Sequence, residues 1–263
     1  MDPSDAPMPL ALGLRGASVF VTGAASGIGR AAALHFARAG ANVTLVDINR
    51  SGLEETQQQA ALMGGGATLC VADVSDARDV SKAMTTAANA FGPVLVAFNN
   101  AGIEGTRLPI AEHPDEDFDA TMRINVRSIW LCMKAQIPAM LAAKRGSILN
   151  TASAVGLVGS AGSPAYVASK HAIVGLTRAT ALDYAKAGIR VNCLCPGLVA
   201  SPMVTQRTSS ANPELLRAWM DAQPIGRLGS PDEIAAAAVW ISSDAASFVT
   251  GHAFSVDGGY VAR

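Results

Sequence analysis

Thr22-Gly23-Ala24-Ala25-Ser26-Gly27-Ile28-Gly29 decides how the rest of the chain is read. It closes a short apolar run at residues 17–22. It opens residues 30–39, a set of good helix formers stopped by Gly40. The order is therefore strand, glycine turn, helix. Glycines at such a turn let the backbone bend tightly and come close to a ligand. The N–H groups and positive dipole end of the following helix suit phosphate. A dinucleotide pyrophosphate needs both. Glycine turns are common, and in isolation this one reads equally as a plain strand-to-helix connection. Its place inside a strand–helix–strand unit raises it above that reading.

Outward from the loop, the alternation continues. Strands are expected at residues 42–46, 68–72, 94–98, 147–150, 190–194 and 253–256. Helices are expected at 54–62, 80–91, 117–144, 165–187 and 231–242. Pro138 is expected to bend or break the long helix at 117–144. Strands separated by helices imply right-handed crossovers and a parallel sheet. The expected fold is a single-domain α/β, Rossmann-like doubly wound parallel sheet with helices on both faces. It spans residues 14–263 behind a flexible segment at 1–13. In such sheets ligands bind beyond the carboxyl ends of the strands, where most of the polar and glycine-rich features fall.

Composition agrees. Of 263 residues, 50% are hydrophobic and only 16% charged, against a typical charged share of about 25%. A sheet covered on both faces explains part of that, and subunit interfaces could explain more. The net charge of −1 and the lack of a basic stripe argue against nucleic-acid binding. Cys70, Cys132, Cys193 and Cys195 form no metal-ligand spacing with histidine. They read as reduced core residues, and no metal is expected. The N-terminus lacks a signal-peptide pattern, and the apolar run 234–241 is too short to span a bilayer. These features point to a cytoplasmic protein without a membrane partner.

Asp47 ends the second strand, 18 residues after Gly29 (47 − 29). A carboxylate there can accept hydrogen bonds from adenosine ribose hydroxyls and repel a 2′-phosphate, so it favours NAD over NADP. The plainer reading is a solvated residue capping the next helix. Arg50 lies near enough to soften the discrimination. Ser26, before Gly27, offers no cation for an extra phosphate.

With the glycine loop, Asn99-Asn100-Ala101-Gly102 and Tyr166-x-x-x-Lys170 in view, the chain resembles the short-chain dehydrogenases/reductases from about Leu14 to Tyr260. The resemblance implies that Gly23, Ser26, Gly27, Ile28 and Gly29 hold the cofactor pyrophosphate, with Asp47 and Ile48 beside the adenosine. Asp73 and Val74 would contact adenine. Asn100, Ala101 and Gly102 would line the cofactor. Pro196, Gly197, Leu198 and Val199 would reach the nicotinamide, with Ser201 where the family often has threonine. Asn125 would hold a water of the proton relay. The resemblance also implies a homotetramer built on the helices at 117–144 and 165–187.

The catalytic set is Asn125, Ser153, Tyr166 and Lys170. A tyrosine can exchange a proton with an alcohol if its pKa, ~10 when free, falls toward working pH. A nearby ammonium favours the phenolate. Tyr166 and Lys170 stand one helical turn apart and so share a face. Lys170 would also bond the nicotinamide ribose, as the resemblance implies. Ser153, 13 residues before Tyr166 (166 − 153), would share the substrate oxygen. Taken singly, each also reads as an ordinary helix pair, a strand-end hydroxyl or a helix-interior amide.

Residues 201–223 read either as a lid over an apolar substrate or as a simple helical excursion. Val155, Met203 and Trp219 are expected at the substrate with Ser153 and Tyr166. Ile103, Glu104, Leu157 and Ser163 are further pocket candidates, and Arg207 or Arg217 could anchor a carboxylate. The expected reaction interconverts a secondary alcohol, apolar or cyclic, with its ketone, using NAD. A 3-oxoacyl-carrier-protein reductase would usually prefer NADPH, against Asp47. A non-catalytic dinucleotide sensor would be expected to lack Tyr166 or Lys170. A sugar-nucleotide epimerase would need a longer chain.

Overall fold

A computed structural model describes residues 13–205 and 213–262. The first twelve residues of the segment expected to be flexible, and residues 206–212 within the expected lid, Arg207 among them, lie outside the described residues. So do the side chains of Leu215 and Leu216.

Seven strands form one sheet in the order β3-β2-β1-β4-β5-β6-β7. They are β1 (Ser18–Thr22), β2 (Asn42–Asp47), β3 (Ala67–Val71), β4 (Val96–Asn99), β5 (Gly146–Thr151), β6 (Ile189–Pro196) and β7 (Ala253–Val256). Every pair is parallel. The order reverses between β1 and β4, and that switch point opens a crevice at the carboxyl ends.

The helices are α1 (Gly27–Arg38), α2 (Arg50–Ala61), α3 (Ala77–Phe91), α4 (Asp115–Met122), α5 (Ser128–Ala143), α6 (Pro164–Tyr184), α7 (Pro202–Thr205), α8 (Pro213–Asp221) and α9 (Pro231–Ser242). Side chains alternate across β1. Val19 and Val21 join a core with Phe36 of α1, Leu53 of α2 and Ile234 of α9. Phe20 points the other way, into a core with Val80 of α3, Ile129 and Met140 of α5, and Ile173 of α6. Both faces are thus dry, and all five residues of β1 are buried.

The long helical stretch differs from expectation. α5 runs through Pro138 without a break. The irregularity lies upstream, where Arg123–Arg127 form one π-type turn between α4 and α5. Such a turn displaces a backbone carbonyl from the helical ladder and often marks a functional position. Asn125 sits inside it, fully buried.

Candidate active site

The glycine loop is built to expose backbone. Gly23 and Gly27 take φ of +68° and +53°, where a side chain would be strained. A Cβ on Gly29 would fall 2.0 Å from the Gly23 carbonyl oxygen, so α1 can approach β1 only with glycine there. Ser26 precedes α1 without capping it through its side chain. In contrast, Asn49, Asp76 and Ser230 cap α2, α3 and α9 with side-chain acceptors. The first N–H groups of α1 are thus left facing the crevice.

Polar groups missed in the sequence hold this loop from behind. Arg30 donates to the Ala25 carbonyl at 2.6 Å, to Thr56 Oγ1 at 3.0 Å and to Glu55 at 2.7 Å. Thr56 donates onward to the Ala24 carbonyl at 2.9 Å. Thr22 Oγ1 accepts the backbone N–H groups of Asn100 and Ala101 at 2.8 and 3.0 Å, which locks the end of β4 to the loop. Beneath them Asn99 and Gln136 bond each other twice, and Asn99 and Asn150 once, all buried. No periodicity marks these residues, because their partners lie tens of positions away.

One cavity of about 530 Å³ runs along the carboxyl edge of the sheet. Of the expected cofactor residues, Gly23, Ser26, Gly27, Ile28, Asp47, Ile48, Asp73, Val74, Asn100, Ala101, Gly102, Pro196, Gly197, Val199 and Ser201 line it, as do Tyr166 and Lys170. Gly29 stands behind the wall. Asp47 accepts the Ala25 N–H at 3.1 Å and the Asn49 N–H at 3.0 Å, which fixes its carboxylate at the mouth of the loop. Arg50 is drawn toward Glu54 at 3.6 Å.

On the other side of the switch point stand the groups suited to proton transfer. Ser153 and Tyr166 line this part of the cavity together. Burial, then the negative charge of Glu104, pushes the Tyr166 phenol up to about 12, and the Ser153 bond pulls it partly back. Burial draws the Lys170 ammonium down to about 8, and Lys170 donates to the Thr151 carbonyl at 2.9 Å. The sequence expectation that Lys170 draws the phenol down is therefore not met in the chain by itself, because burial dominates both groups.

Asn125 does not line the cavity. Its side chain accepts the Ile103 N–H at 2.8 Å and donates to the Ile103 carbonyl at 2.8 Å and to Ser169 Oγ at 3.0 Å. The amide thus braces the loop after β4. A Cβ on Gly102 would meet its Oδ1 at 3.0 Å and Lys170 Nζ at 3.6 Å.

Val155, Met203 and Trp219 line the cavity, with Ile103, Glu104 and Ser163. Leu157 does not: it lines a separate cavity with Gly156 and His171, because the short helical turn after Ser153 carries it past the cleft. Arg217 is exposed and off the cavity wall, so it is no carboxylate anchor there. The arginine at the wall is Arg107, unmarked in the sequence. It lies 5.7 Å from the Trp219 ring centroid. Gln223, buried behind the wall, accepts the Leu198 N–H at 2.7 Å and donates to the Leu198 and Arg227 carbonyls. It thereby ties the end of the 201–223 segment to the loop after β6.

A glycine-lined crevice at the switch point, joined to half-buried Ser153 and Tyr166 and buried Lys170, defines a dinucleotide-binding oxidoreductase site on a doubly wound sheet. The comparisons narrow the class. The family profile described as "Enoyl-(Acyl carrier protein) reductase" matches residues 23–261. The 2,5-dichloro-2,5-cyclohexadiene-1,4-diol dehydrogenase of Sphingobium indicum is 46% identical over 250 residues, 95% of this chain and 98% of that protein. Cyclohexanol dehydrogenase of an Acinetobacter species is 38% identical over 92% of this chain and 94% of its own length. The crystal structure of NAD+-bound xylitol dehydrogenase superposes with a TM-score of 0.90 at 32% identity, over 94% of this chain and 99% of that one. The chain belongs to the short-chain dehydrogenase/reductase family and is an oxidoreductase. The uncapped helix start, the bare glycine faces and the carboxylate at Asp47 fit a nicotinamide dinucleotide. Among the described residues no helix is long and apolar enough to cross a membrane.

Proposed function

We propose that the chain is an NAD(H)-dependent dehydrogenase that interconverts a cyclic secondary alcohol and its ketone, with Tyr166 as acid/base. The observation that carries the reading is the convergence of Ser153, Tyr166 and Lys170 on the same cavity as the glycine loop and Asp47. The glycine loop and the start of α1 would hold the pyrophosphate, Asp47 the adenosine ribose, and Lys170 the nicotinamide ribose. Bound there, the nicotinamide supplies the hydride acceptor or donor.

The chain's own work is with the proton and the oxygen. During oxidation Tyr166 takes the hydroxyl proton as the hydride leaves the carbinol carbon; during reduction it returns one. Ser153 donates to the reacting oxygen and shares its developing charge. Lys170 provides a positive field within one helical turn. Val155, Met203 and Trp219 keep the apolar part of the substrate dry. In this reading Asn125 serves the relay through its place in the π-type turn, since its amide is already engaged with Ile103 and Ser169. Residues 201–223 act as a lid, and Gln223 couples them to the nicotinamide-facing loop.

The names of the two curated relatives, both acting on six-membered rings, support the cyclic substrate. Asp47 supports NAD. The half-exposed Trp130 and Leu141 on α5 and the exposed Leu182 on α6 support assembly through those helices as a homotetramer. The four buried, free cysteines suit a reducing compartment such as the cytoplasm.

The test is a panel of cyclic and open-chain secondary alcohols and ketones with NAD(H) and NADP(H), followed by nicotinamide absorbance. Turnover of ring substrates with NAD(H) is expected. A clear NADP(H) preference would reverse the reading of Asp47, and inactivity across the panel would favour a dinucleotide sensor. Light scattering on a sizing column tests the tetramer.

A further inference from the structure

Ser153 and Tyr166 must face one reacting oxygen for the proposed proton transfer, yet the chain does not fix their meeting locally. Ser153 stands two residues past the end of β5 (153 − 151), and Tyr166 lies in the first turn of α6. Residues 154–163 between them include Gly156, Gly159 and Gly162, the last at φ +72°. The alignment therefore depends on where α6 seats along β5. Part of that seat is apolar, with Ile173, Val174 and Ala181 in one core with Ile129 and Ile148. Apolar burial is non-directional. Direction has to come from polar contacts.

One such contact lies outside the groups already given a part in the chemistry. Asn150 of β5, three residues before Ser153 (153 − 150), donates to Thr177 Oγ1 of α6 at 3.1 Å. It also donates to Met133 Sδ of α5 at 3.4 Å and accepts from Asn99 at 3.0 Å. Asn99 continues to Gln136 of α5. Asn99, Gln136, Asn150 and Thr177 are all buried, and neither Asn150 nor Thr177 lines the cavity. Thr177 follows Lys170 by seven residues and Tyr166 by eleven (177 − 170, 177 − 166). These are close to two and three full turns, so all three share one side of α6. A satisfied polar network in a dry core singles out one arrangement more strictly than apolar packing does. Here the arrangement is that of α6 against β5.

We propose that Thr177, through the hydrogen bond it accepts from Asn150, is a positioning residue: it sets the height of α6 on β5 and so aligns Tyr166 with Ser153 and the reacting oxygen. This rests on the dehydrogenase reading above. Lys170 rides on α6 with Tyr166, so a small shift of the helix separates Tyr166 from Ser153 while Lys170 stays beside the ring. The bond from Lys170 to the Thr151 carbonyl ends a flexible four-carbon stem and follows such a shift. The glycine loop and Asp47 belong to β1, α1 and β2, which the shift does not move. A misplacement of about 1 Å can cost ~10²-fold in rate.

The test uses the full-length enzyme, NAD+ and the ring alcohol turned over fastest in the panel above. Thr177→Val keeps the shape of the side chain and removes the acceptor. Its kcat falls about 10- to 100-fold, while the Kd for NAD+ changes less than about threefold. Thr177→Ser returns the hydroxyl and most of the rate. The double variant with Ser153→Ala, assayed at high enzyme concentration, separates positioning from general damage. With Ser153 gone the reacting oxygen can follow Tyr166, so adding Thr177→Val lowers kcat by less than about threefold, the non-additivity of residues that act through one another. Circular dichroism shows whether each variant is folded. Thr177→Ala, which leaves room for water at the Asn150 amide, carries the test if the Val variant is not. Wild-type kcat in a folded Val or Ala variant overturns the inference. So does a loss of the same size with and without Ser153, the mark of a merely structural role. Both results leave the dehydrogenase reading standing. Inactivity of the wild-type enzyme on every compound with either cofactor overturns that reading, and this inference with it.

Discussion

The ammonium of Lys170 lies 5.4 Å from the centroid of the Tyr166 ring, one helical turn away on α6. The two groups pull on each other less than their surroundings pull on both. Burial holds each toward its neutral form, the phenol at about 12 and the ammonium at about 8. The proposed acid/base pair therefore keeps a charge in a dry place, and several of its properties become measurable.

Tyr166→Phe removes the proton carrier and little else, since the ring keeps its packing. General acid–base groups contribute about 10²–10⁴-fold, so kcat should fall within or beyond that range. The Kd for NAD+, read by fluorescence titration, should change less than about threefold, below ~1 kcal/mol. Near-normal turnover in this variant would falsify the role of Tyr166.

Lys170→Met should stabilise the protein while impairing it. Burial lowers the lysine pKa from 10.5 to about 8 in the folded state. Below about pH 8 the folded chain therefore bears the cost of a buried charge. As pH rises from about 8 through 10.5 the unfolded chain binds the extra proton and that cost disappears. At 1.36 kcal/mol per unit the cost is ~3 kcal/mol, and the lost bond to Thr151 returns ~1. Urea unfolding should show the variant ahead by ~2 kcal/mol at pH 7, with the margin shrinking by pH 10. A margin that does not depend on pH would contradict this.

The pH profile for alcohol oxidation should respond to the groups around Tyr166. Oxidation needs the phenolate, so activity rises with pH. Burial and Glu104 hold the phenol up, and the Ser153 bond holds it down. Glu104→Gln removes a negative charge, so the rising limb moves to lower pH. Loss of the Ser153 hydroxyl in Ser153→Ala moves it to higher pH, with a large drop in kcat. Profiles of kcat/KM that superpose across all three proteins would detach the limb from Tyr166.

Asp47→Ser should exchange cofactor preference. The carboxylate is fixed by the Ala25 and Asn49 N–H groups, ready to accept ribose hydroxyls. Losing a charged acceptor costs ~1.5–3 kcal/mol, about 10- to 100-fold in kcat/KM for NAD+. With the repulsion gone, kcat/KM for NADP+ should rise. An unchanged ratio of the two cofactors would place the selectivity elsewhere.

Thr22→Val keeps the shape of β1 and removes the acceptor for two backbone N–H groups, those of Asn100 and Ala101. Each buried, unsatisfied donor costs ~1–3 kcal/mol. Urea unfolding should report a loss of at least ~2 kcal/mol, and Thr22→Ser should recover most of it. Equal stability of the Val variant would show that the loop is held by other means.

The parallel sheet and most of the cleft were legible because their signals are local. The Gly23–Gly29 loop, Asp47 at the end of β2 and the Tyr166–Lys170 spacing each sit within a single turn or strand. The missed parts are held together across distance. Gln136 answers Asn99, Gln223 answers Leu198, and Arg107 answers Trp219, and nothing in the spacing of those pairs announces a meeting. At Pro138 the expected break is absent for the opposite reason. Its local signal is strong, but packing of α5 against β4, β5 and α3 carries the helix through it, and the departure falls at Asn125 instead. Leu157 was misplaced because the turn after Ser153 redirects the chain.

The cavity has two walls of different origin. The wall proposed for the nucleotide is made of strand ends and the first turn of α1, so altering it disturbs the sheet. The wall proposed to face the substrate is made of three outlying segments, joined to one another through Arg107, Glu104 and Trp219. Mutation can therefore rewrite the chemical vocabulary of one wall while the grammar of the other stays fixed. A lineage built on this frame is free to change its diet without relearning how to hold its electrons.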